Sequence, residues 1–173
     1  MEEIEMAYAV VRTDLMTGTD VRADLRSVRY MGADGNTPTA IENGHVVKLS
    51  ALMAGERELW KGVDVAATDA LNDIVLIATP EVMYDERKKN LDDFINEKDR
   101  DCRGYVLHSR DIFSVTAEAL DAAATPVVGN LVELAAGTKL KVVATATDKS
   151  TQVGKVIDVN KVGRYTYYVI QVA

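Results

Sequence analysis

The residues of this chain best suited to chemistry are its single cysteine, Cys102, its two histidines, His45 and His108, and the run Ser109-Arg110-Asp111 beside the second histidine. A nucleophilic site would set Cys102 or Ser109 against His108 as base, with a carboxylate such as Asp111 orienting the imidazole. Those roles need side chains that converge from different elements, and immediate sequence neighbours rarely do. No Gly-x-Ser-x-Gly elbow and no aromatic-flanked nucleophilic cysteine is present. The expectation is that His45, after a glycine turn, and His108, at a strand end, are surface turn residues. Cys102 lies in the charged run Lys98-Asp99-Arg100-Asp101-Cys102-Arg103 and is expected to face solvent.

Metal chemistry has no better footing, because there is no Cys-x-x-Cys and no His-Glu-x-x-His. The acidic pairs Asp92-Asp93 and Asp99 with Asp101 lack the alternating acids and central glycine of a calcium loop, and they read as solvated faces. Asp34-Gly35-Asn36 has no downstream glutamate at the right distance and reads as a turn. The glycines are scattered singly instead of feeding a helix N-terminus, so no phosphate cradle is expected. Tyr165-Thr166-Tyr167-Tyr168 and Trp60 are where a sugar or base could stack. Strand alternation sends Tyr165 and Tyr167 one way and Tyr168 the other, so one set of rings is expected in the core, as is the lone Trp60. Catalytic residues, metal ligands and cofactors are therefore assigned to none.

The elements available to position these residues are mostly strands. Residues 46–49, 58–63 and 74–78 are short β candidates, the last a continuous apolar run of the kind buried on both faces. Residues 105–107, 112–115, 130–134, 140–145, 153–159 and 165–172 are rich in Val, Ile, Thr and Tyr and separated by Gly, Asp or Asn turns. The fold class expected is mainly β, a barrel or sandwich-like domain, with one or two short helices and an extended N-terminal arm. One helix is expected over residues 84–96, where Tyr84, Lys88, Leu91 and Ile95 share a face, and a weaker one over residues 117–124. The turn-rich Met31-Gly32-Ala33-Asp34-Gly35-Asn36-Thr37-Pro38 is the best boundary, giving an arm of residues 1–30 and a β-rich domain of residues 31–173. There is also a weak internal echo. Asn43-Gly44-His45-Val46-Val47-Lys48-Leu49 and Val128-Gly129-Asn130-Leu131-Val132-Glu133-Leu134 each lead a glycine turn into a strand, and an Ala-Gly turn follows each. Chance is the favoured explanation at this level.

Composition limits the partners. The chain has 173 residues, 47% of them hydrophobic, and a formal net charge of -7. Such a length can bury roughly two thirds of its unfolded surface, enough for a core without staples. Basic residues are interleaved with acids, so nucleic acid is not an expected partner. No apolar run reaches the ~18 residues of a membrane span, and the acidic start Met1-Glu2-Glu3 does not resemble a secretory signal. A membrane is not expected as a partner, and the expected place of synthesis is the cytoplasm. With chemistry unsupported, binding to other protein surfaces is the expected role. The arm intersperses charges with apolar anchors, and Val10, Val11, Arg12, Leu15, Met16, Val21, Leu25, Arg26 and Val28 are the expected interface residues.

Four segments carry a resemblance. Val11-Arg12-Thr13-Asp14-Leu15-Met16-Thr17-Gly18-Thr19, Glu81-Val82-Met83-Tyr84-Asp85-Glu86-Arg87-Lys88-Lys89-Asn90-Leu91, Asp111-Ile112-Phe113-Ser114-Val115-Thr116 and Ser150-Thr151-Gln152-Val153-Gly154-Lys155-Val156-Ile157 resemble head decoration (capsid auxiliary or cement) proteins of tailed bacteriophages infecting Gram-positive bacteria. The likeness covers nearly the whole chain. It implies a structural virion protein on the capsid exterior, assembled in the host cytoplasm, whose partners are the major capsid protein of the phage head and copies of itself, a trimer among the candidate states. The alternatives are a carbohydrate- or host-surface-binding virion module, which needs exposed rings at Trp60 or Tyr165 to Tyr168, and a tail or connector protein. A small enzyme is the least supported reading and needs His108, Cys102 and a carboxylate in one pocket.

Overall fold

A computed structural model describes residues 8–16 and 24–173. Eleven strands form two sheets and, among the described residues, the only helical segments are single 3-10 turns. The mainly β expectation holds. β1 (Leu25–Tyr30), β2 (Val46–Leu52), β3 (Leu59–Val63), β4 (Ile74–Ile77) and β5 (Cys102–Val106) close into a barrel of order β1-β3-β2-β4-β5. β6 (Ile112–Val115), β7 (Leu120–Ala122), β8 (Leu131–Glu133), β9 (Leu140–Val143), β10 (Gln152–Val162) and β11 (Tyr165–Val172) form a curled sheet of order β6-β11-β10-β8-β9-β7.

The barrel is narrow, and glycine makes that width workable. Its interior holds Val28, Val47, Val75, Ile77 and Cys102. A Cβ on Gly62 would lie 2.7 Å from Val28 Cγ1, and one on Gly104 would lie 2.8 Å from Val75 Cγ2. The all-apolar β4 is buried on both faces, as its sequence predicts, because Val75 and Ile77 point into the barrel while Ile74 and Leu76 join a larger core shared with the curled sheet. Main-chain bonds also cross the junction, from Val46 N–H to the Thr138 carbonyl at 2.7 Å and between Val65 and Gly137 in both directions.

The two sheets are built on one plan. β1 pairs in parallel with β3 and antiparallel with β5, and the other neighbours are antiparallel; β7 likewise runs parallel to β9, with the remaining pairs antiparallel. The registers match at most positions, departing where a bulge in β10 sets Glu133 opposite Gln152 while its counterpart Lys48 faces Ile74. Val47 opposite Val75 corresponds to Val132 opposite Gly154, Ile77 opposite Gly104 to Val156 opposite Ile170, and Val28 opposite Cys102 to Val115 opposite Tyr168. Even the turn bonds repeat: Gly44 N–H donates to the Ile77 carbonyl and Gly129 N–H to the Val156 carbonyl, each at 2.8 Å, with both glycines at positive φ. These are the two segments that echo one another in sequence, so the echo marks a structural repeat and the chance explanation fails.

One difference between the repeats opens an edge. Residues Leu25 to Val28 of β1 pair with β5 and Ser27 to Tyr30 with β3, so Ser27 and Val28 are paired on both sides. In the curled sheet the matching halves are β6, which pairs with β11, and β7, which pairs with β9, and the three-residue turn Ala117–Ala119 lies between them. That turn pulls β6 out of line with β9. Residues 10–12 fill the resulting gap: Arg12 N–H donates to the Ser114 carbonyl, Thr116 N–H donates to the Val10 carbonyl, both at 3.1 Å, and Val11 bridges Val115.

Several expectations need correction. β1 lies within residues 1–30, so the barrel begins before residue 31, and Asp34-Gly35-Asn36 is an Asx turn inside the β1–β2 connection, its Oδ1 accepting from Asn36 N–H at 2.9 Å. No helix spans residues 84–96. Asp92, Phe94 and Asn96 are buried at alternate positions, an extended periodicity no helix can meet, and Asn96 is bridged to Ile41. Asn90 and Asp93 close a single 3-10 turn in a reciprocal cap. Residues 117–124 likewise form one turn and then β7, because Leu120 is drawn into the ladder opposite Leu140.

Candidate functional site

The expected interface residues divide sharply by burial. Val10, Val11 and Val28 are almost fully buried in the chain's own core, so in this structure they do not form an exposed face for a partner. The cause is pairing: residues 10 and 11 complete the curled sheet, and Val28 points into the barrel. Leu15 and Leu25 are exposed, at 56% and 39%, and Arg12, Met16 and Arg26 are half-buried. Val21 lies outside the described residues.

The candidate chemistry residues are not brought together. Cys102 is buried on the barrel interior, not in solvent, and burial pushes its thiol up to about 12. The strand alternation of β5 turns it inward despite its charged neighbours. His108 sits beyond the other end of β5 and pairs through Nε2 with an Asp24 carboxylate oxygen at 3.1 Å. His45 is buried too, contrary to the surface reading, because its turn is wedged between the two sheets. Its Nδ1 lies 3.0 Å from Thr138 Oγ1 and its Nε2 3.7 Å from Glu42 Oε2. Burial, with Lys139 adding repulsion, drops its pKa to about 4. Among the described residues no group of three or more His, Cys, Asp or Glu is placed to hold a metal ion, and no helix is long and apolar enough to cross a membrane.

What the fold does assemble is a groove of about 480 Å³ beside the β10–β11 hairpin. The hairpin turns through Gly163 and Arg164 between the paired Val162 and Tyr165, with Gly163 at φ +62, the sign a II′ turn requires at its first central position. Strand alternation puts Tyr165 and Tyr167 on one face, ring centroids 6.1 Å apart. Each ring is capped by a guanidinium: Arg164 over Tyr165 at 5.0 Å and Arg12 over Tyr167 at 5.4 Å. Carboxylates hold both arginines. Arg12 forks onto Asp14 at 2.9 and 2.7 Å, which keeps the Asp14 carboxyl below its usual range. Arg164 bonds the buried Asp92, which also accepts from the Tyr165 hydroxyl at 2.9 Å. Glu81 lines the same groove, and burial raises its pKa.

The groove is rimmed by apolar side chains left in solvent. Leu91 and Val162 line it, at 40% and 49% exposed. Leu15 follows Asp14 at its edge, and Val82 follows Glu81 into an adjoining hollow shared with Tyr84, which is 85% exposed. Sequence reasoning reached only the arm's share of this face. Its residues come from the arm, from the long β4–β5 connection and from the hairpin tip, and the signals for it were the expected interface residues Arg12 and Leu15 and the alternation of Tyr165 and Tyr167. Tyr167 and Tyr168 are buried and Trp60 is half-buried, so the rings do not form an open flat platform for a sugar.

Comparison of the chain with known protein families, with curated proteins and with solved structures gives no match.

Proposed function

We propose that this protein is a structural virion component that docks on the outer surface of a phage head and strengthens contacts between coat subunits. The observation that carries this reading is the rimmed groove, where Tyr165, Arg12 and Arg164 are held in fixed orientations among the exposed Leu15, Val82, Tyr84, Leu91 and Val162. Pre-ordered Tyr and Arg side chains surrounded by apolar surface are the composition of a protein-docking face. The resemblance of the four sequence segments to head decoration proteins supplies the partner, the major capsid protein. A protein that binds the assembled shell and not free coat subunits stabilises the shell by that difference in binding free energy.

The test is to mix the protein with undecorated heads and measure both occupancy and the temperature at which the heads open. Wild type saturates the heads and raises that temperature, and Leu91→Asp with Val162→Asp weakens binding about tenfold or more. Wild type that never binds heads ends the capsid reading. Unchanged binding by the double variant moves the contact to another face. Deletion of residues 1–30 is a poor test, because it also removes β1 from the barrel.

A further inference from the structure

We propose that residues 8–12 are an exchangeable strand, and that copies of this protein link to one another by inserting this segment into the β6 edge of a neighbour. The inference is independent of the surface the protein docks on.

The comparison between the two repeats shows why the slot exists. In the barrel the positions of Ser27 and Val28 pair directly with Leu59 and Trp60 of β3, and no further strand is needed. Their counterparts Ser114 and Val115 are displaced from β9 by the turn Ala117–Ala119, which leaves one edge of β6 unpaired by the sheet itself. That edge is filled from outside the repeat. Val10 N–H donates to Thr116 Oγ1 at 3.1 Å, Ala9 N–H donates to Glu42 Oε2 at 2.9 Å, and the bonds from Arg12 and Thr116 close the ladder. The side chains are matched as well: Ala9, Val10 and Val11 are nearly fully buried, and Val11 packs against the bare Gly44, where an added Cβ would meet Val11 Cγ2 at 3.2 Å and Ala119 Cβ at 2.8 Å.

The slot is therefore specific for this segment, yet nothing in it depends on which chain supplies the strand. Strand addition uses main-chain bonds and alternate side-chain pockets, and an identical segment from another copy makes identical contacts. The segment's own chain reaches β1 through residues 13–24. A tether of that length spans at most roughly 40 Å and sets an effective concentration on the order of millimolar for docking within one chain. Exchange between copies must therefore compete at millimolar concentration, or wherever a surface holds copies close together.

The ladder geometry supplies the test. Val11 and Val115 face each other as a non-hydrogen-bonded antiparallel pair, since the flanking bonds come from Arg12 and Thr116. The Cα atoms of such pairs lie about 4.5 Å apart, within disulfide reach. Two full-length variants, Val11→Cys and Val115→Cys, are mixed across a concentration series, briefly warmed, cooled and oxidised. Cys102 is enclosed and serves as the wild-type background control. The expected result is a covalent dimer containing one chain of each variant, its yield rising at least tenfold between micromolar and millimolar mixtures. The double variant in one chain closes internally when dilute. Absence of the mixed dimer at millimolar concentration, while the double variant still closes, overturns the proposal. Should a variant fail to fold, wild-type protein gives the second readout: in a millimolar mixture of isotope-labelled and unlabelled chains, contacts between Val11 and Val115 methyl groups of different chains support exchange, and their absence refutes it.

Discussion

Gly104 and Ile170 hold the same ladder position in the two repeats, opposite Ile77 and Val156; Val75 stands diagonally from Gly104 and Gly154 diagonally from Ile170. The large and small residues are exchanged across that diagonal, and Gly154 also lets the main chain approach, since a Cβ there would lie 1.9 Å from the Gln171 carbonyl oxygen. Gly104→Ala would put a Cβ 2.8 Å from Val75 Cγ2 and 3.2 Å from Val28 Cγ2. Overpacking of this kind costs about 1–3 kcal/mol, read as a lower denaturant midpoint. Adding Val75→Ala should recover part of that loss, so the two substitutions will be non-additive. Strict additivity would show that the two side chains do not share a space.

His45 makes stability depend on pH. Its folded pKa of about 4 lies below the ordinary 6.5, so the unfolded chain binds the extra proton between these values. The stability is present above pH 6.5 and is lost as pH falls toward 4, by about 3 kcal/mol. Glu81, with a raised pKa, acts in the opposite direction, but equally in any variant that leaves it untouched. His45→Asn installs the residue that the second repeat uses at this place, Asn130, whose carbonyl accepts from Val156 as that of His45 does from Ile77. The variant should have a flatter stability profile over this window in denaturant titrations. An unchanged slope would assign the dependence elsewhere.

Cys102 should be silent in the native protein. Its thiol is enclosed, bonds only weakly to the Arg100 carbonyl at 3.7 Å, and is pushed up to about 12 by burial. A thiol reagent at about pH 8 should label it only in denaturant. Stoichiometric native labelling within minutes would mean that the barrel opens far more readily than its packing implies.

Arg164 and Asp92 should be coupled. Asp92 is buried, and Arg164→Ala leaves its carboxylate, among the described residues, with the Tyr165 hydroxyl as its hydrogen-bond donor. Because Arg164 is partly solvated, the variant is expected to melt at a lower temperature but to lose less than a fully enclosed pair would. Asp92→Asn in the same chain should restore part of the loss, measured by thermal unfolding. A double variant no more stable than Arg164→Ala alone would contradict the pairing.

The strands with clear alternation or continuous apolar runs were legible in the sequence, as β2, β4, β6 and β11 show. β1 was not, because Arg26 and Arg29 interrupt its apolar residues, and only pairing to both β3 and β5 makes it a strand. The false helix over residues 84–96 has a definite cause. Tyr84, Lys88, Leu91 and Ile95 form a plausible stripe, but the residues buried are Asp92, Phe94 and Asn96, selected by contacts to the arm, the hairpin and Ile41 that no local pattern encodes. The rest of the docking face was hidden for the same reason. The repeat was visible only where both copies kept a glycine turn, since at other matched positions Val75, Gly104 and Cys102 answer to Gly154, Ile170 and Tyr168.

The central claim, docking through the hairpin groove, is tested most directly by hydroxyl-radical footprinting of the full chain, free and bound to undecorated heads. The account predicts that on binding Tyr84, Leu91, Val162 and Tyr165 lose reactivity, while Leu52, Val127 and Val128, exposed elsewhere, keep theirs. Protection at Val127 and Val128 with an unprotected groove, or no protection anywhere, would contradict it.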